Sequence, residues 1–251
     1  MKLLFENWRQ YLTEGEDPAA GKKQAKLKAF QDDKQNFLDS VKGKLADSID
    51  VEKLFTALAG ATDPKTGKTM PMGKQAHSAR VGALTAAASK DPDALVGALM
   101  HDFVERGGDI QQLVDNGILT DKQKELVDFL SSSDKEVAEY AGDNEPLDHM
   151  KHVFKDISDK GIKDKLAMIK AADRVDNLNR RALDPSRKGP LTGKGSKKMK
   201  YLRKSIALFD ELRMHASNPS IIDPILNLLH TDAKRGLAAI GYLPDLFKSE
   251  E

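Results

Sequence analysis

No cysteine occurs among the 251 residues. That absence excludes disulfides, thiolate zinc sites and cysteine nucleophiles, and it fits a reducing cytoplasm. Aromatic residues supply only 6% of the chain. No run alternates apolar and polar residues for long enough to make a strand, so the pattern points away from a sheet. An excess of either charge is missing too. Lys and Arg total 40 against 39 Asp and Glu, a formal net charge of +1, so there is no whole-molecule attraction to nucleic acid or to a membrane surface. No apolar run approaches the ~20 residues that span a bilayer, and there is no internal repeat. Met1 to Leu12 carries Glu6 and lacks a continuous apolar core, so it does not read as a secretory signal.

What remains is a chain with 39% hydrophobic and 31% charged residues, enough to bury the core of one large domain or of one domain with appendages. Its Ala-, Leu-, Lys-, Asp- and Glu-rich runs favour helix. The expected class is all-α, a helical bundle. Residues 1–24 read as an amphipathic leader and linker, 25–216 as the main domain and 217–251 as a C-terminal helical extension. Helical periodicity predicts elements over 25–45, 51–59, 75–89, 91–106, 109–116, 120–130, 133–140, 147–158, 163–182, 199–215, 221–230 and 232–239. Asp91 reads as an N-cap with Pro92 at the first helical position. Residues 184–198 form a basic loop with Pro185, Gly189, Pro190, Gly193 and Gly195.

His101-Asp102 follows the apolar run Ala94, Leu95, Val96, Ala98, Leu99, Met100. By itself the pair also reads as a polar helix end. His77 lies on the preceding helix, 24 residues upstream, a spacing that lets two antiparallel helices face each other. Asp173 sits among Leu166, Ala167, Ile169, Ala171 and Ala172, where an uncompensated carboxylate is costly. Two imidazoles and two carboxylates suit an octahedral divalent first-row metal such as manganese or iron, with open positions for water and a phosphate oxygen. Such an ion polarises a phosphoryl group and activates water near neutral pH. Glu105, four residues after His101, shares its helical face in this reading and is placed to take a proton from attacking water; a solvated helix end is the alternative.

The order His77, His101-Asp102, Asp173 resembles the H…HD…D pattern of the HD superfamily of metal-dependent phosphohydrolases. More narrowly, the chain resembles the hydrolase domain of the RelA/SpoT family, and within it the small stand-alone alarmone hydrolases. Ala98 to Glu105 resembles that family's "LLHDxVED", Ile169 to Asn177 its "VKLADRLxN", and Leu126 to Lys135 the region of its "VTDDK"-like stretch. The resemblance covers roughly residues 51–212. It implies a manganese centre held by His77, His101, Asp102 and Asp173, a nucleotide substrate, and removal of pyrophosphate from the 3′ position of ppGpp and pppGpp. It also implies substrate contacts from Lys170, Asn177 and Tyr201. No region matches an alarmone synthetase domain, so the expectation is hydrolase only.

The chain departs from that family at two places. The catalytic Glu-Asp pair is Glu105-Arg106 here, and Arg106 reads either as a phosphate-binding group or as the mark of a changed or weakened activity. Residues 55–62 lack the arginine that stacks on guanine in the family. The alternatives are therefore another HD nucleotide phosphohydrolase, acting on a deoxynucleotide or on NADPH, and a non-catalytic nucleotide-binding or virion-packaged protein. Lys194, with Arg187, Lys188, Lys197 and Lys198, belongs to a loop able to close over a polyphosphate, or to a solvated linker. His149, His152, His215 and His230 read as surface residues. Met1 to Gly15 resembles the amphipathic leader of tailed-phage head proteins, with Leu12-Thr13-Glu14 as the prohead-protease site; an ordinary docking helix is the other reading. The expected setting is cytoplasmic, in a host cell or a virion if the chain is phage-encoded, with no membrane and no nucleic-acid partner.

Overall fold

The computed structural model describes residues 18–45, 49–63, 66–131, 145–183 and 197–242. Among them are eleven α-helices and no strand; Thr62 and Thr69 form an isolated antiparallel bridge. The helices are α1 (Pro18–Val41), α2 (Val51–Gly60), α3 (Met72–Ala88), α4 (Pro92–Met100), α5 (Ile110–Asp115), α6 (Asp121–Leu130), α7 (Glu145–Asp156), α8 (Lys160–Leu183), α9 (Lys197–His215), α10 (Asp223–Leu226) and α11 (Thr231–Ala238). The protein is an all-α bundle. Among the described residues, no helix is long and apolar enough to cross a membrane. The expected helix over 133–140 lies outside the described residues.

α3, α4 and α8 build the centre, and each has a reason in its sequence. α4 is buried on every side from Ala94 to Met100, as a helix apolar all round must be. Asp91 caps it, accepting from the backbone N–H groups of Asp93 and Ala94, with Pro92 following. α8 is buried through Leu166, Ala167, Ile169, Ala171, Ala172 and Val175. α3 packs against α1, α4 and α8. Small residues let it approach closely: a Cβ added at Gly82 would lie 2.6 Å from the Phe37 ring of α1. Gly97 of α4 stands in the same relation to Leu126 of α6 and Ile169 of α8.

Two apolar clusters flank this centre. One gathers Phe37, Leu54, Phe55, Leu58, Leu95, Leu99 and their neighbours from α1 to α6. The other gathers Met150, Phe154, Leu166, Leu208, Phe209, Ile225 and their neighbours from α7 to α11. α4 contributes Leu95 to the first and Ala98 to the second.

Three elements differ most from the sequence expectation. The helix expected over 221–230 is a 3-10 segment, Pro219–Ile222, followed by α10, which stops at Leu226. α1 begins at Pro18 rather than Ala25, so residues 18–24 are helix and not linker. Proline at the first helical position and the alanines after it outweigh Gly21. α4 ends at Met100 rather than running to Arg106. The chain tightens there, with Phe103 N–H donating to Met100 O at 2.8 Å, then winds through a 3-10 segment, Val104–Arg106. Gly107, at φ 78°, closes it in a left-handed turn. Glu105 therefore does not share an α-helical face with His101.

Candidate metal centre

The end of α4, the middle of α3 and the middle of α8 bring His77, His101 and Asp173 together. One ligand-type atom of each lies within 4.8 Å of the others. His77 Nε2 is 3.1 Å from Asp173 Oδ1. The imidazoles meet edge to face, with ring centroids 5.1 Å apart and planes at 76°. His77 and His101 are buried, while the Asp173 side chain keeps 26% of its surface open to solvent. Asp102 joins through His101, its Oδ1 lying 3.2 Å from His101 Nε2.

The imidazoles are aimed by their outer nitrogens. His101 Nδ1 lies 2.8 Å from the Ala98 carbonyl and donates to it. A proton on Nδ1 makes that contact and turns Nε2 toward Asp102 and the centre of the site. Nε2 is buried and has no hydrogen-bond partner. His77 Nδ1 lies 2.7 Å from Asp176 Oδ2 and donates in the same way. Asn177 donates to Asp173 Oδ1 at 2.7 Å and to the Asp173 carbonyl, which fixes the carboxylate. These are the supports that metal ligands need. His77, His101 and Asp173 could together hold a metal ion.

The charges are strongly coupled. Burial pushes His77 down, but hydrogen bonds to Asp173 and Asp176 outweigh it and raise the ring to about 9. Burial also works against the Asp173 carboxylate, yet the contact with His77 holds it well below the ordinary range. Asp102 is depressed as well, where the neighbouring His101 and His77 outweigh the effect of burial. In the metal-free molecule a proton on His77 thus supplies positive charge where an ion would.

Two cations stand over Asp102. Lys74 Nζ and Arg106 NH2 are each 3.7 Å from its Oδ2, and both side chains are partly exposed. The buried Arg106 Nε has no hydrogen-bond partner. Glu105 is exposed on the 3-10 segment beside them. Among the other expected substrate contacts, Lys170 donates its ammonium to the Leu130 carbonyl at the end of α6, at 2.8 Å. Tyr201 of α9 lies under two guanidiniums, Arg181 at 3.6 Å and Arg174 at 4.9 Å from its ring centroid. Lys194 lies outside the described residues.

Sequence reading passed over Lys74, Arg80, Asp176 and Asp33. The available signal was helical spacing: Arg80 follows His77 by three residues and Asp176 follows Asp173 by three. It also misplaced His149, which is buried with Nε2 3.0 Å from the Phe129 carbonyl. His215 stacks on Phe154 and is half-buried. No protein-family model matches the chain, and neither a curated protein nor a solved structure matches it.

Proposed function

We propose that the protein is a metal-dependent phosphohydrolase of HD type acting on a nucleotide, with the 3′ pyrophosphate of ppGpp or pppGpp as the leading substrate. The observation that carries the reading is the convergence of His77, His101 and Asp173, with the buried His101 Nε2 making no hydrogen bond. The ion, manganese in the leading reading, supplies Lewis-acid polarisation of a phosphoryl oxygen and lowers the pKa of water. His77, His101, Asp173 and Asp102 are the residues that would hold it.

The chain's own groups have defined tasks in this reaction. Lys74 and Arg106 attract phosphate oxygens to the mouth of the site and neutralise charge that develops there. Glu105 takes a proton from the attacking water. The new bond joins water oxygen to the phosphorus on the 3′ oxygen; the bond from that phosphorus to the 3′ oxygen breaks, and the 3′ oxygen takes up a proton. GDP and pyrophosphate leave when the substrate is ppGpp. Asn177 keeps Asp173 in place throughout.

A second reading within the same chemistry is a phosphohydrolase for a deoxynucleotide or for NADPH. It is favoured by the cation Arg106 in place of an acid and by residues 55–62, where no arginine offers a guanine platform. A turnover screen with manganese against ppGpp, pppGpp, NADPH and the dNTPs tests both. Phosphate or pyrophosphate release from the first pair alone supports the leading reading. Release from the others alone supports the second. No release from any of them leaves a nucleotide-binding protein as the surviving alternative.

A further inference from the structure

The geometry points to Asp176, Arg80 and Asp33 as a positioning relay for His77, running from the candidate metal ligand to helix α1. The inference rests on the metal reading of the site. It begins from the two ends of one imidazole. A metal taken by His77 Nε2, beside Asp173 Oδ1 at 3.1 Å, would leave the ring's proton on Nδ1, which then donates it to an acceptor. Asp176 Oδ2 is that acceptor at 2.7 Å. An imidazole fixed at one nitrogen holds the lone pair of the other in one direction.

Asp176 is 4% exposed, and a buried carboxylate needs compensation beyond one ring N–H. Arg80 supplies it with two donors, Nε to Oδ1 at 2.7 Å and NH2 to Oδ2 at 3.2 Å. A two-point fork fixes the plane of the carboxylate as well as its position. The third donor of that guanidinium, NH1, reaches Asp33 Oδ2 of α1 at 2.5 Å. Asp33 is itself buried. The chain of contacts is thus carboxylate, guanidinium, carboxylate and imidazole, across three helices.

Helix geometry explains why these four residues meet. Arg80 stands one turn beyond His77 on α3, and Asp176 one turn beyond Asp173 on α8. One turn of the α3–α8 contact carries the candidate ligands, and the next carries their support. The fork adds something that packing alone does not provide. Apolar contacts would hold α1 against α3 equally well, but they would not set the direction of the His77 ring.

The test is a Mn2+ titration by calorimetry of the full chain, with the visible absorption of the Co2+-loaded protein as a second readout of ligand geometry. The variants are Asp176→Asn, Arg80→Lys and Asp33→Asn, with Asp39→Asn on the exposed face of α1 as control. Loss of a supporting group around a ligand typically costs about 10–100-fold in metal affinity. Asp176→Asn should weaken Mn2+ binding within that range and shift the Co2+ bands. Asp33→Asn should act in the same direction by a smaller factor, and its effect should vanish in the Asp176→Asn background. Arg80→Lys keeps the charge but not the fork, and should fall between them. Asp39→Asn should bind as wild type does. Should Asp176→Asn fail to fold, Arg80→Lys and Asp33→Asn decide the matter. Lower thermal stability in the variants, with affinity and Co2+ spectrum unchanged, would show a purely structural network and overturn the relay. Wild-type protein that binds no Mn2+ would overturn the metal reading, and the relay with it.

Discussion

His77 and His101 leave different helices, yet their rings meet edge to face with centroids 5.1 Å apart. The contact is made possible where α4 stops. Because the helix ends at Met100, His101 stands at its C-terminus and is held by the Ala98 carbonyl behind it. The same termination carries the chain into a tight turn, in which Arg106 NH2 stays 3.7 Å from Asp102 Oδ2. A straight helix to Arg106 would have spread residues 101–106 around its axis at 100° intervals.

In the proposed site proton and metal would compete for His77, which would make metal affinity depend on pH. The folded ring titrates at about 9 against an ordinary 6.5. Its contribution to metal-free stability is therefore fully present below about 6.5 and is lost as pH rises through about 9. Metal binding must displace that proton, so Mn2+ affinity should rise with pH by up to about tenfold per unit between pH 7 and 9. Calorimetry across that range checks it, and a flat affinity would contradict the charge coupling described for His77.

The acidic side has the opposite sign. Burial opposes ionisation of Asp176, but Arg80 and His77 hold it at about 2. Its stabilising contribution is present above about pH 4 and is lost as pH falls toward 2. In the Asp176→Asn variant the acid limb of the stability curve should be shallower, measured by thermal unfolding from pH 5 to 2.

Catalysis separates from ligation by substitution. Glu105→Gln should leave Mn2+ affinity unchanged and lower kcat by about 10²–10⁴-fold, the usual range for a general base. Asp173→Ala should abolish metal binding as well. Arg106→Asp restores the acid of the resembled family. If Arg106 binds phosphate, that change should raise KM; if it marks a weakened alarmone hydrolase, kcat on ppGpp should rise. Steady-state kinetics on the substrate found in the screen distinguishes these outcomes.

Packing offers a test of the fold. In Gly82→Ala the new methyl meets the Phe37 ring, and forced overpacking costs about 1–3 kcal/mol. Helix propensity returns about 1 kcal/mol, so a net loss of up to about 2 kcal/mol is expected. Gly60→Ala, with nothing within 4 Å, should gain about 0.4–1 kcal/mol. Equal denaturation midpoints for the two variants would contradict the close approach of α1 to α3.

The helices were legible in the sequence where local chemistry decides them. The apolar run 94–100 and the Asp91-Pro92 start identify α4, and the spacing of Leu166, Ile169 and Val175 marks the buried side of α8. The end of α4 was not legible, because the 101–106 stretch has no proline and its only glycines come after it. The candidate ligands His77, His101 and Asp173 stood out as polar residues in apolar settings. Their supports did not. Arg80 and Asp176 are 96 residues apart, and Arg80 and Asp33 are 47 apart. Periodicity shows that each occupies a helix face but not which faces meet. His149 illustrates the converse: its helix looks amphipathic, and the ring is buried because the Phe129 carbonyl accepts from it.

The central claim is that His77, His101, Asp173 and Asp102 hold one divalent ion. Anomalous diffraction from a crystal of the full chain grown with Mn2+ tests it most directly. One manganese peak is expected about 2.0–2.4 Å from His77 Nε2, His101 Nε2 and a carboxylate oxygen each of Asp173 and Asp102. Well-ordered side chains at that site with no manganese peak among them, or a peak held by other residues, would contradict it.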